Sequence, residues 1–139
     1  MTRRGFEYYV DLTDKIINAA YEVHRVLGPA LEERFYRDAL AYELQLRGHQ
    51  VEMERRFSVS YKGKQLGDHS VDLIVDSKVV VEIKATASDI LAVHIAQTIS
   101  ERQVSGLKVA LLLNFGNTSL LIRRLEARDE QGARDTRGQ

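Results

Sequence analysis

Two acids and a lysine stand among β-branched residues in the stretch VDLIVDSKVVVEIKA, Val71 to Ala85: they are Asp72, Glu82 and Lys84. A three-residue turn over Asp76, Ser77 and Lys78 makes Val75 face Val79, Ile74 face Val80, Leu73 face Val81 and Asp72 face Glu82. Directly opposed residues share a face of a sheet, with Cβ atoms about 4.5–5.5 Å apart. Lys84, two residues beyond Glu82, falls on that face as well. The opposite face carries Val71, Leu73, Val75, Val79, Val81, Ile83 and Ala85, a continuous apolar surface for a core. A two-residue turn would shift the register by one and scatter the group. Opposed like charges repel, so a cation belongs between the acids, and without one at least one of them should have a raised pKa. Lys84 supplies part of that positive charge. Carboxylate oxygens converging on one point are also what Mg²⁺ accepts. A solvated ion-pair face on an edge hairpin is the alternative reading of the same pattern.

The elements that must hold these residues follow from periodicity. Leu12, Ile16, Ala19, Val23 and Leu27 recur at helical spacing, predicting a helix over Asp11–Leu27 that Gly28-Pro29 stops. Leu31, Phe35, Ala39, Tyr42 and Leu46 predict a second over Leu31–Arg47, closed by Gly48. Alternation then takes over. Val51 and Met53, then Phe57, Val59 and Tyr61, read as strand, with Lys62-Gly63-Lys64 as a turn and further strands over Val71–Val75 and Val79–Ala85. Ser88 caps a third predicted helix, Asp89–Val104, ended by Gly106, and Lys108–Leu113 and Leu120–Leu125 form a last strand pair. The expected order is ααββββαββ: an α/β (α+β) fold with a central mixed β-sheet flanked by helices. One domain over residues 1–126 and a charged, disordered tail over 127–139 complete the expectation.

Twenty Lys and Arg balance twenty Asp and Glu, so no overall field draws the chain to nucleic acid or acidic membrane, and any phosphate site must be local. The absence of cysteine excludes disulfides and thiolate metal centres. No apolar run approaches the roughly 20 residues of a bilayer span, and MTRRGFEYYV has no signal-peptide core. The expected location is the cytoplasm.

An acid on one strand and Glu-x-Lys on its neighbour resembles the PD-(D/E)XK nuclease superfamily. With GPALEERFY (Gly28 to Tyr36), HIAQTISE (His94 to Glu101) and LLLNFG (Leu111 to Gly116), the likeness sharpens to the bacterial GxxExxY branch over about residues 10–125. That resemblance implies a restriction-endonuclease-like core and Mg²⁺- or Mn²⁺-dependent hydrolysis of phosphodiesters, with DNA as the expected partner. It implies Asp72, Glu82 and the carbonyl of Ile83 as metal ligands, with Glu33 as a further ligand, direct or through water. Lys84 would orient or deprotonate the attacking water, and Gln97 would position water or phosphate. Tyr36 and His94 would contact substrate. Glu33, Tyr36 and Leu40 share one helix face, as do His94, Gln97 and Glu101. Three positions depart from the family pattern: Ala30 stands at its leading glycine, Ser70 where a basic residue is common, and Glu101 where relatives often carry tyrosine. The alternative is a non-catalytic module of the same fold that binds nucleic acid or protein. Zero net charge favours the module, whereas an intact Asp72, Glu82 and Lys84 favour the enzyme. A homodimer is compatible with either.

Overall fold

The computed structural model describes residues 7–127. The tail expected from residue 127 therefore lies, apart from Ala127, outside the described residues. Helix α1, Val10–Leu27, buries Ile16, Ala19, Ala20 and Val23 and ends at Gly28, whose φ of 71° suits a residue without Cβ. Helix α2, Glu33–Leu46, begins two residues later than expected and buries a different stripe: Tyr36, Leu40, Ala41 and Leu44. Leu31, Phe35, Tyr42 and Leu46, expected inside, are exposed, and Ala39 is half-buried. This helix carries two apolar stripes, and its contacts decide between them. The Tyr36 ring stacks on Phe115 with centroids 4.8 Å apart, while its hydroxyl donates to the Gly28 carbonyl and accepts from Leu31 N–H at 3.1 Å. Those hydroxyl bonds hold the Gly28–Leu31 loop open and delay the helix start. Tyr36→Phe should therefore cost about 1–3 kcal/mol in urea melts, the loss of both loop bonds at once.

Five strands form one mixed sheet in the order β1-β2-β3-β4-β5: Val51–Tyr61, Lys64–Val75, Val79–Lys84, Val109–Asn114 and Leu121–Glu126. The run from Lys64 to Val75 is one unbroken strand, so the observed order ααβββαββ has one strand fewer than expected. Strands β3 and β4 pair in parallel, joined by α3 (Ala92–Ser105), and the other neighbours are antiparallel. Both parallel strands are near-continuous apolar runs, as burial on two faces demands. One face packs on α1 and α2 through Leu73, Val81, Leu111 and Leu113. On the other, Ile74, Val80 and Ala110 form a smaller cluster, joined by Phe57 of β1 and Leu107 just after α3. No helix among the described residues is long and apolar enough to cross a membrane.

The β2–β3 turn has three residues, and the register is Leu73 with Val81, Ile74 with Val80 and Val75 with Val79, as the sequence predicts. Asp76 and Ser77 both take positive φ, 52° and 57°. Their conformation is fixed from outside. His49 Nδ1 donates to Asp76 Oδ2 at 2.8 Å and Gln50 N–H to Oδ1 at 2.9 Å. Against the opposing effect of burial, these bonds hold the Asp76 carboxyl below its usual range.

Helix α3 starts at Ala92, three residues after the expected position, and Ser88 does not cap it. The Ser88 carbonyl instead accepts the side-chain amides of Asn114 and Asn117, each at 3.0 Å, while Asn114 Oδ1 accepts Thr86 N–H and Gly116 N–H at 3.0 Å. The segment after β3 is thus strapped to the end of β4 before the helix begins. Gly116 lies so close that a Cβ there would stand 2.3 Å from the Thr86 carbonyl oxygen.

Candidate active site

Backbone pairing between β2 and β3 stops at Leu73–Val81, one step short of the acids. There Asp72 Oδ2 accepts Ile83 N–H at 2.8 Å, replacing a ladder bond with a side-chain bond across the gap. The strand bends at the same place. Glu54 of β1, between the pairs Met53–Leu73 and Arg55–Val71, has φ 52°. Beyond this kink Val71 packs with Ile74 and Val80, so it leaves the apolar face to which alternation assigned it. Strict alternation fails at the step where Glu54 and Asp72 are left unpaired and Glu54 takes positive φ.

Glu82 is 6% exposed, its Oε1 has no hydrogen-bond partner, and Oε2 lies 3.8 Å from Lys84 Nζ. Burial, then the charges of Asp72 and Glu101, push its carboxyl up to about 10. The expected raised pKa within the acid pair therefore falls on Glu82. Lys84 Nζ donates to Gln97 Oε1 at 3.3 Å, which brings α3 to the strand lysine.

Glu33, exposed at the N-terminal end of α2, lines a cleft of about 150 Å³ with Arg34, Arg37, Asp72 and Ile83. Partial burial and, to a lesser degree, the Asp72 charge raise its carboxyl against the attraction of Lys84. The structure thus brings Asp72, Glu82, Lys84, Gln97, Glu33 and Ile83 around the gap between β2 and β3. Two of the expected site residues behave differently. Tyr36 is fully buried with its hydroxyl spent on the Gly28 loop, and is not brought to a surface where substrate could touch it. His94 is half-buried and turns Nδ1 back to accept Leu91 N–H at 3.2 Å at the start of α3.

Two residues belong here that sequence reasoning missed. Glu101, 1% exposed, faces Glu82, and its Oε1 also lacks a partner. Burial raises its carboxyl, opposed by His69, whose Nε2 donates to Glu101 Oε2 at 2.7 Å. The shared helix face of His94, Gln97 and Glu101 held the signal for Glu101. His69 left no signal, since three residues before Asp72 on a strand is the spacing of opposite faces.

Among the described residues no group of three or more histidine or acidic side chains is arranged to hold a metal ion. A Mg²⁺ ion that keeps several waters is commonly held by one or two carboxylates. The Asp72–Glu82 pair, with a buried carboxylate oxygen left unsatisfied, has that donor chemistry, so the residues present fit a hard divalent cation.

No curated protein matches this chain. A solved structure titled "Crystal structure of SSO0001" is similar at 18% identity and a TM-score of 0.49 over 84% of this chain, which spans 60% of the other's length. The family model described as the PD-(D/E)XK nuclease superfamily matches residues 10–125, most of the chain, and this protein belongs to that superfamily.

Proposed function

We propose that this protein is a divalent-metal-dependent nuclease that hydrolyses phosphodiester bonds in DNA, and that it sits in the GxxExxY branch of its superfamily. The observation that carries this reading is Glu82, an acid buried beside a second acid with one oxygen unsatisfied and a lysine 3.8 Å away. Such an arrangement costs stability, and a solvated ion-pair face would not keep it buried. The branch assignment rests on Glu33 and Tyr36 in GPALEERFY, on His94 and Gln97 in HIAQTISE and on LLLNFG.

Asp72 and Glu82 would hold Mg²⁺ or Mn²⁺, joined by the Ile83 carbonyl and, from across the cleft, by Glu33. A bound divalent ion lowers the pKa of a water and neutralises charge on phosphoryl oxygens. Lys84, steadied by Gln97, holds its ammonium where it can orient the attacking water or meet the developing negative charge. Ile83 N–H fixes one oxygen of Asp72, leaving the other for the ion. Tyr36 supports the Gly28–Leu31 loop just ahead of Glu33.

The test is a panel of single-stranded, duplex and flapped DNA and of RNA, incubated with Mn²⁺. Cleavage by the wild type that falls about 10²–10³-fold in Asp72→Asn supports the enzyme reading. Unchanged binding with no cleavage of any substrate would instead favour a non-catalytic nucleic-acid module.

A further inference from the structure

Between the long β1–β2 ribbon and α3 lies a second, open-sided cavity of about 310 Å³, lined by Val59, His69, Gln97, Ser100 and Val104. It shares Gln97 with the candidate active site, and Gln97 is the residue that touches Lys84. We propose that this cavity receives one unpaired base of the nucleic-acid strand whose adjoining phosphate lies at Lys84, so that the substrate is single-stranded or locally unpaired DNA. The inference rests on the nuclease reading for the phosphate but on separate residues for the base.

Four features select a base as the occupant. Val59 and Val104 give apolar walls suited to the face of a flat ring. The His69 ring is held by its bond to Glu101 at 2.7 Å, so it offers a fixed plane for stacking. Gln97 uses its oxygen on Lys84, and its amide NH₂ has no partner among the described residues, leaving two donors for base-edge acceptors. The volume, at the lower end of the roughly 300–1,000 Å³ range of small-ligand pockets, leaves room for a flat base.

Charge points the same way. Beyond Arg55, which is paired with Glu52 at 3.1 Å, the distal ribbon carries Arg56, Lys62 and Lys64, all exposed, against one acid, Asp68. It is therefore a local basic arm on a chain of zero net charge. A base inside a duplex is stacked and paired, and reaches a cavity only after leaving the stack. Single strands are gripped by combining a basic track with ring stacking, whereas duplex binders rely on a broad basic footprint, which a zero net charge does not favour.

The experiment measures anisotropy of fluorescein-labelled probes with the full chain in EDTA. The probes are a dT 12-mer, an abasic 12-mer of the same charge and a 12-base-pair duplex. We expect the dT 12-mer to bind about tenfold more tightly than either of the others, the size of a single base-stacking contact. Ser100→Leu, which projects an aliphatic chain from an exposed helix position into the cavity, should remove most of that tenfold advantage and leave abasic binding unchanged. Equal affinity of the wild type for the dT and abasic probes would overturn the proposal, whatever the variant does. A folded Ser100→Leu that retains the full advantage would also overturn it. Metal-dependent cleavage is scored separately with Asp72→Asn. Base-dependent binding without cleavage refutes the nuclease reading and keeps the pocket, and cleavage without base-dependent binding does the reverse.

Discussion

Glu82→Gln is expected to melt about 5 °C or more above the wild type at pH 8 without metal, and to lose any response to Mg²⁺ or Mn²⁺. The sign follows from proton linkage. The unfolded carboxyl titrates near 4.5, the folded one near 10. Within that window the native state holds a proton that the unfolded chain has released, so stability is fully present below 4.5 and falls as pH rises toward 10. Each pH unit in the window is worth at most about 1.4 kcal/mol. Glutamine mimics the protonated acid and has no such dependence. The gap between the two proteins should therefore be small at pH 5 and widest above pH 8. Metal reverses the order, because an ion bound by ionised Asp72 and Glu82 stabilises only the wild type and releases protons as it binds. Thermal melts across pH, with and without metal, read both effects. A Glu82→Gln protein less stable than the wild type at every pH, with neither protein shifted by metal, would return the pair to an ordinary ion-pair face.

Gly116→Ala should have an effect of similar size and opposite sign. A Cβ there meets Thr86 O at 2.3 Å, Thr86 N at 2.4 Å and Thr86 C at 2.5 Å, all backbone atoms that cannot rotate away. Overpacking costs typically about 1–3 kcal/mol, and a clash with backbone belongs at or above the upper end, so a fall of about 10 °C in melting temperature is expected. The strain also reaches the site. Phe115 N–H donates to the Lys84 carbonyl at 2.8 Å, so pushing Thr86 away from Gly116 moves the backbone that carries Lys84. Cleavage, where measured below the melting transition, should fall at least tenfold, as positioning errors of this kind do. Hydrogen exchange at the Thr86 amide, bonded to Asn114 Oδ1 at 3.0 Å, should accelerate in the variant. A melting temperature within 2 °C of the wild type would show that the loop yields freely.

The Asp72–Glu82–Lys84 grouping was legible because hairpin register is a counting problem, and a three-residue turn leaves one answer. The mixed sheet was legible because hairpins and one helical crossover are interleaved along the chain, and a crossover helix leaves the strands it joins parallel. Other features were not. Helix α2 offers two apolar stripes, and only the stacking of Tyr36 on Phe115, residues 79 apart in sequence, selects one. The start of α3 is set by Asn114 and Asn117, which lie after the helix and strap Ser88 before it. The side-chain bond of Asp72 across the strand gap and the positive φ of Glu54 beside the same unpaired step leave no mark in the sequence. Glu101 and His69 meet from elements 32 residues apart, so their pairing is a product of packing alone.

The three-residue turn at Asp76–Lys78 also sets how this protein tolerates changes in length. Substitutions there alter local strain, but losing or gaining one residue would slip β3 by one position against β2. Glu82 and Lys84 would move to the side of the sheet that packs on α1 and α2, and Val81 and Ile83 would move to the side that faces α3. A single-codon deletion in this turn should thus remove both the core and the chemistry, where most point mutations would remove neither. At the far end of the same β2 strand, the exposed Lys62-Gly63 tip can lengthen without moving any residue of the site. Length variation among descendants of this chain should collect at that tip and be purged from the other turn.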